Sequence, residues 1–155
     1  TFLQATTRLS AARGLWPSGR LLLRGDADPT SVDDLLALPV SLRLFAGGDQ
    51  SVRGFSYRSI GPVGSDSSVI GGRHRLVGSV ELEQMVYAGF GLAVFMDAGN
   101  VFATREGVSL DRVEQGAGAG LRWRSPIGLV RVDVAWPVSR TDPQPKLHFV
   151  IGGVL

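Results

Sequence analysis

The sequence predicts an all-β fold, an antiparallel transmembrane β-barrel, on the strength of three observations. Apolar and polar residues alternate with a period of two along several segments. These segments run for about 9–13 residues, as tilted membrane strands do, whereas soluble strands average about 5–6 residues. The links between segments alternate between tight turns and long loops, which is typical of bacterial outer-membrane barrels.

Turn signals divide the chain into seven predicted strands. These are residues 1–13, 18–28, 72–87, 89–97, 115–125, 127–138 and 146–155. Tight turns are predicted at 16–19, 88–89 and 125–128, and long links at 29–71, 98–114 and 139–145. Within the longest link, residues 33–38 predict a single turn of helix. Since an odd, open sheet would leave bare edges in lipid, we expect the chain to be the last part of a larger barrel.

Alternation gives several of these strands one apolar and one polar face. The apolar faces carry Leu3 and Leu9, Val80 and Leu82, the even residues from Phe90 to Met96, and the even residues from Val130 to Trp136. The polar faces carry Arg8, Ser79, Glu81, Glu83, Asp97, Arg131 and Asp133. Mixed charges and small residues suit a water-filled lumen, and the apolar face suits lipid. We expect Trp123 and Trp136 to lie at the membrane interface or to face lipid.

Composition excludes several kinds of site. The chain has no Cys, so disulfides, zinc–thiolate sites and thiol catalysis are ruled out. His74 and His148 lie far apart without clustered ligands, and we interpret both as ordinary side chains rather than metal ligands. The 16 basic residues nearly balance the 14 acidic ones and are scattered, which argues against nucleic-acid binding. No apolar run reaches the ~18–20 residues of a transmembrane helix.

Nothing in the sequence indicates an enzyme or a cofactor. Neither histidine has a Ser/Asp constellation around it, and the Gly-x-Ser-x-Gly motif is absent. Residues 116–120, Gly-Ala-Gly-Ala-Gly, are similar to a nucleotide-binding loop but lack the Lys-Ser/Thr of a P-loop. They run into a predicted strand, and close packing of that strand is the better interpretation.

Five motifs occur in the order in which they occur in the Omp85 superfamily, and the chain resembles that family over residues 42–155. They are residues 51–55 (Ser-Val-Arg-Gly-Phe) with 60–62, residues 71–72 leading into 79–83, residues 95–100 (beginning Phe-Met-Asp-Ala-Gly), residues 118–128, and residues 147–155. The form Gly47-Gly48-Asp49-x-Ser51-Val52-Arg53-Gly54 is most similar to the TamA branch. The resemblance implies that residues 1–155 form the carboxyl-terminal part of a barrel of about sixteen strands. It also implies periplasmic POTRA domains in a preceding part of the protein.

The resemblance further implies that the long loop folds back into the lumen. Its arginine, Arg53, would then meet Asp97 and Glu81, and the alternation independently places both carboxylates on the polar face. A guanidinium in a narrow lumen needs such partners, because an unpaired buried charge costs about 3–5 kcal/mol. In this interpretation Gly54 and the pair Gly47-Gly48 permit close approach.

The remaining motif residues have supporting roles by the same resemblance. Phe55 would wedge against the wall, and Phe95 and Gly99 belong to the Phe-x-Asp-x-Gly motif. The terminal strand is similar to the family's carboxyl-terminal signal and seam strand. Its expected members are Phe149, Ile151 and Leu155 on one face and Gly152 opposite, with Leu155 where an aromatic residue is common.

The resemblance implies a protein of the bacterial outer membrane that inserts autotransporter or β-barrel clients through a lateral seam. Its expected partners are outer-membrane lipid, unfolded clients and a TamB-like periplasmic protein. Within the superfamily, a two-partner secretion transporter or a BamA-like core subunit remains open. From other classes, a passive outer-membrane channel and a soluble β-sandwich binding module remain open. No cofactor is required, because strand pairing and lipid burial supply the driving force.

Overall fold

The computed structural model describes residues 1–105, 107–126 and 128–152. These residues form one antiparallel sheet of eight strands. The strands are β1 (Phe2–Gln4), β2 (Thr7–Trp16), β3 (Gly19–Val32), β4 (His74–Tyr87), β5 (Phe90–Phe102), β6 (Glu114–Ser125), β7 (Gly128–Trp136) and β8 (Lys146–Ile151). In the sheet, β1 and β2 both pair with β3, and the strands from β3 to β8 follow one another in chain order. Two 3₁₀ helices, Val40–Leu42 and Leu110–Arg112, complete the regular structure of these residues. None of their helices is long and apolar enough to cross a membrane.

The first predicted strand, residues 1–13, is divided into β1 and β2. Both pair with β3, and the two ladders keep the same register. The interruption lies opposite Pro29, which has no N–H to give to a ladder, although its carbonyl still accepts from the Ala5 N–H. The prediction of seven strands was therefore one short, because a proline on the neighbouring strand breaks the first one.

Other predicted boundaries were also wrong. The second strand was predicted to end at 28 but β3 reaches Val32, and the fourth was predicted to end at 97 but β5 reaches Phe102. Residues 98–102 continue the ladder with residues 74–78 of β4, so the Gly99-Asn100 pair lies within a strand rather than in a loop. Tertiary pairing overrides the local turn signal here.

The predicted helical turn at 33–38 is not formed by those residues, which adopt turns and bends. The 3₁₀ helix follows instead at Val40–Leu42. Pro39 disfavours helical backbone at the preceding residue, Leu38. Leu35 and Leu38 are nevertheless buried. The apolar residues of this segment therefore indicate that the loop packs against the rest of the structure, not that it forms a helix.

The sheet has its apolar face outside and its polar face inside. On β5, Leu92, Val94 and Met96 are about half exposed, whereas Ala93, Phe95 and Asp97 are at most 5% exposed. β7 repeats the arrangement, with Val134 and Trp136 outside and Asp133 and Ala135 buried. Such an inside-out pattern is that of a membrane barrel, whose outer band faces lipid. The predicted fold class is confirmed.

The long loop between β3 and β4 packs on the polar, concave face. Short antiparallel bridges join Leu44 to Gly72 and Ala46 to Ile60, which closes the loop into a compact unit. Its apolar side chains meet the wall in one cluster. The cluster consists of Ala46, Val52, Phe55, Ile60, Val77 and Val101, with Leu44 at its margin. This cluster is the hydrophobic core, and it fixes the loop against β4 and β5.

Candidate functional site

The loop tip, residues 51–55, is wholly buried on the concave face of the sheet. Val52 is 0% exposed and Arg53 is 4% exposed. A tip in this position carries a full positive charge out of bulk water, so the wall must supply partners for it.

The principal partner of Arg53 is Asp97 of β5. Its Nε lies 2.7 Å from Asp97 Oδ2 and its Nη2 lies 2.9 Å from Oδ1, which is a bidentate pair. The backbone N–H of Arg53 also donates to Oδ2, at 3.0 Å. The carboxylate therefore fixes both the side chain and the main chain of the tip. This is the contact that the family resemblance implied.

Two further carboxylates complete the pocket. Arg53 Nη1 donates to Glu81 Oε2 at 2.6 Å and to Asp133 Oδ2 at 3.0 Å. The guanidinium carbon lies 3.4 Å from the centre of the Phe95 ring, a cation–π contact that adds to the ion pairs. Burial alone would lower the pKa of Arg53, but the hydrogen bond and charge of Asp97, together with Glu81, raise that pKa above its ordinary value. Arg53 is thus held in its charged form.

The register of the sheet explains why these carboxylates converge. Ser79 pairs with Asp97 and Glu81 with Phe95 across β4 and β5. Because side chains two apart on a strand share a face, Glu81 and Asp97 both point inward. Asp133 reaches the same place from β7, two strands further along the sheet. Arg53 therefore ties the loop to β4, β5 and β7 at once.

A second arginine, Arg122 of β6, shares two of these carboxylates, Glu81 and Asp133. It is fully buried and donates to Glu81, Glu83 and Asp133. Arg20 of β3 also donates to Glu83. Three arginines and four carboxylates, counting Asp97, thus form one connected network on the wall.

Part of this network was not predicted from the sequence. Glu83, Arg131 and Asp133 were interpreted only as charges of the lumen wall, but Asp133 contacts Arg53 directly and Glu83 contacts Arg122. No role was predicted for Arg122 or for Arg24, whose Nη2 donates to the Ser51 carbonyl at 3.0 Å. Parity would have placed Arg122 on the polar face, but only cross-strand register shows which charges meet.

The glycines of β6 make room for the tip. A Cβ on Gly116 would lie 1.8 Å from the Arg53 carbonyl oxygen, and one on Gly118 would lie 2.6 Å from the Phe95 ring. The Gly-Ala-Gly-Ala-Gly run therefore lies in a closely packed strand, as predicted, and its inward positions lack side chains. Gly99 has the same role under Val52, where a Cβ would lie 3.0 Å from Val52 Cγ2.

The predicted motif residues of the loop are found around the tip. Gly54 has φ of +91°, and its Cα lies so near β7 that a Cβ would be 2.8 Å from the Trp136 carbonyl carbon. Gly47 and Gly48 also have positive φ, near +100°, and Gly47 N–H donates to Ser51 Oγ at 3.2 Å. Phe55 is 6% exposed and belongs to the hydrophobic cluster, in the wedge position that was expected.

His148 is not the ordinary side chain that sequence analysis took it to be. It lies on β8, is 6% exposed, and contacts two loop residues. Its Nε2 accepts from the Gly54 N–H at 3.0 Å, and its Nδ1 contacts Asp49 Oδ1. These partners are 94 and 99 residues away in sequence, so no local motif could reveal them.

The terminal strand matches the prediction in part. Phe149 and Ile151 are both more than half exposed and share the outward face. Gly152 was expected within the strand, but β8 ends at Ile151 and Gly152 adopts a bend with φ of +74°. Its N–H donates to the Leu129 carbonyl at 2.9 Å. Leu155 lies outside the described residues, and the roles of these residues as signal and seam stay predictions.

The described residues contain no group of three or more His, Asp or Glu side chains placed to hold a metal ion. Every acidic group of the network instead faces an arginine. The arrangement serves to fix a loop against a wall, and it does so with charge pairs that lie out of water.

Comparisons with known proteins agree with this architecture. A model of the Omp85 superfamily domain matches residues 21–154 of the chain. Among solved structures, BamA from Haemophilus ducreyi lacking POTRA domains 1–3 is similar, with a TM-score of 0.75 and 25% sequence identity. The match covers 96% of this chain but only 34% of that one, so the chain spans about a third of the length of that structure.

Proposed function

Because the chain belongs to the Omp85 superfamily of outer-membrane β-barrel proteins, we propose that it helps to insert or translocate other outer-membrane proteins. The single observation that carries the proposal is the loop tip bound in the lumen. Arg53 connects the loop to Asp97, Glu81 and Asp133 on three separate strands.

In this proposal the anchored loop holds the barrel ready for clients. The wall strands keep their arrangement as long as the guanidinium bridges them, and a client strand is received at the sheet edge beside β8. An open edge presents unpaired backbone groups, and these template an incoming strand by β-augmentation. The chemistry requires no catalytic group and no nucleotide, because pairing and lipid burial drive assembly.

We further propose the TamA-like branch, with autotransporter clients and a TamB-like periplasmic partner. The support is the segment before the arginine, Gly47-Gly48-Asp49-Gln50-Ser51. In the structure, Asp49 of this segment contacts His148, and its Ser51 hydroxyl accepts a hydrogen bond from the Gly47 N–H. The segment therefore helps to hold the loop tip in place. The second candidate is a BamA-like core insertion subunit, which the likeness to the solved BamA fragment favours.

The test is client assembly by the native protein in proteoliposomes, with one autotransporter and one simple barrel as clients. Arg53→Ala and Asp97→Ala each leave buried charge unpaired, which costs about 3–5 kcal/mol. We expect both variants to lose most assembly activity. Arg58→Ala is the control, because Arg58 is an exposed arginine of the same loop.

The outcomes separate the candidates. Stimulation of the autotransporter alone supports the TamA-like branch, whereas stimulation of both clients supports the BamA-like one. Full assembly by Arg53→Ala and Asp97→Ala would count against the loop anchor. Steady ion conductance without any effect on either client would indicate a passive channel instead.

A further inference from the structure

The two ring nitrogens of His148 contact residues on either side of Arg53 in the loop. Nε2 accepts from the Gly54 N–H, 3.0 Å away, and Nδ1 contacts the Asp49 carboxylate. The ring itself is buried, whereas the Asp49 side chain is 43% exposed. One side chain of β8 therefore spans the base of the loop tip.

The contacts define the hydrogen placement on the ring. Since Nε2 accepts a hydrogen bond from a backbone N–H, it carries no hydrogen itself, and the hydrogen of the neutral ring is on Nδ1. That N–H donates to the Asp49 carboxylate, a charge-assisted bond. An imidazole is suited to this position because it accepts at one nitrogen and donates at the other, in fixed directions.

We infer that His148 is a positioning residue that couples the terminal strand β8 to the loop tip. Arg53 already joins the tip to β4, β5 and β7, but it makes no contact with a β8 side chain among those described. His148 adds that strand, and it pairs in register with Asp133, which itself binds Arg53. When β8 moves relative to the loop, it must break both contacts of His148 or draw the loop tip with it.

This inference deepens the proposed function, because it supplies a link between loop position and the strand beside the client edge. It concerns a different residue from the family's arginine motif. It is also measurable without any client, since the loop tip can be observed directly.

The experiment places a reporter cysteine at Ser51 in the native protein, folded in lipid nanodiscs. The chain has no cysteine of its own, and Ser51 is buried at the loop tip, 8% exposed, so its modification requires the tip to move. The measurement is the rate at which a water-soluble maleimide modifies the cysteine. We expect His148→Ala to raise this rate about tenfold, the ratio that corresponds to roughly 1.4 kcal/mol.

Conservative variants separate coupling from a general loosening of the barrel. His148→Gln retains an acceptor near the Nε2 position, and His148→Asn retains a donor near the Nδ1 position. Each is expected to restore part of the slow modification. Combining His148→Ala with Asp49→Ala is expected to give less than the product of the two single effects, because both remove the same bond.

Leu147→Ala is the matched control, since Leu147 is the adjacent β8 residue and is 71% exposed on the outer face. Folding of every variant is checked by heat-dependent mobility on gels. A rate for folded His148→Ala equal to that of Leu147→Ala would overturn the inference. If His148→Ala does not fold, a modification rate for folded Asp49→Ala equal to that of Leu147→Ala would overturn the inference instead, because Asp49→Ala also removes a His148 contact. Failure of client assembly alone bears on the proposed function and not on this coupling.

Discussion

Replacing Gly116 by alanine should dislodge the loop tip while leaving every charged group in the chain. The new Cβ would lie 1.8 Å from the Arg53 carbonyl oxygen and 3.0 Å from its carbonyl carbon. To restore an ordinary contact of 3.4 Å, the tip must withdraw by about 1.6 Å, since closer carbon–oxygen approach is strongly repulsive. Gly116 pairs with Asp97 across β5 and β6, so this withdrawal also lifts Arg53 from its main carboxylate.

The magnitude follows from these two effects. Overpacking alone costs about 1–3 kcal/mol, and separating the buried guanidinium from its partner raises the loss towards about 3–5 kcal/mol. We therefore expect Gly116→Ala to lower the free energy of unfolding by at least about 2 kcal/mol. The assay is urea unfolding of the native protein in detergent micelles, followed by the heat-dependent mobility of the folded barrel.

Gly25→Ala supplies the control for this experiment. Gly25 is also a strand glycine, but a Cβ there would meet nothing within 4 Å. The change should be neutral or should stabilise by about 0.5–1 kcal/mol, because alanine loses less backbone entropy on folding. Equal unfolding midpoints for Gly116→Ala and Gly25→Ala would refute the reasoning that β6 is bare in order to admit the loop tip.

Two other predictions follow from the same site. Arg122→Gln should destabilise the barrel by up to about 3–5 kcal/mol, because it removes one of the two cations that pair with each of Glu81, Glu83 and Asp133. Arg124→Gln on the same strand, which is exposed, should change the unfolding midpoint little. Gly54→Ala should be more damaging than Gly152→Ala in the same assay: both glycines have positive φ, but a Cβ meets Trp136 at 2.8 Å only in the first. Similar losses for either pair would contradict the contacts on which it rests.

Alternation was enough to predict the fold class and the inward position of Asp97 and Glu81. A barrel strand shows its two faces every two residues, so parity alone assigns each side chain to lumen or lipid. The family resemblance then named Arg53 as the partner of those carboxylates. This part of the site could therefore be predicted from the local sequence pattern together with one motif.

The rest of the site depends on register, which no single segment carries. Arg122 and His148 belong to the anchor because β6 and β8 are offset so that these side chains reach Glu81 and Gly54. The predicted ends of two strands were wrong for a related reason. Local turn signals at Gly99-Asn100 and at Pro29 were weighed without the neighbouring strand, and that neighbour decides whether the ladder continues.

The three-strand origin of the carboxylates around Arg53 has a consequence for how the barrel folds. A slip of one residue in any of β4, β5 or β7 would turn Glu81, Asp97 or Asp133 towards the lipid. The Arg53 guanidinium would then lack one of its three carboxylate partners, and the buried position of the loop tip would be less stable. We therefore expect the loop to dock only after β4, β5 and β7 have paired in the correct register. Arg53 then stabilises that register over any shifted one.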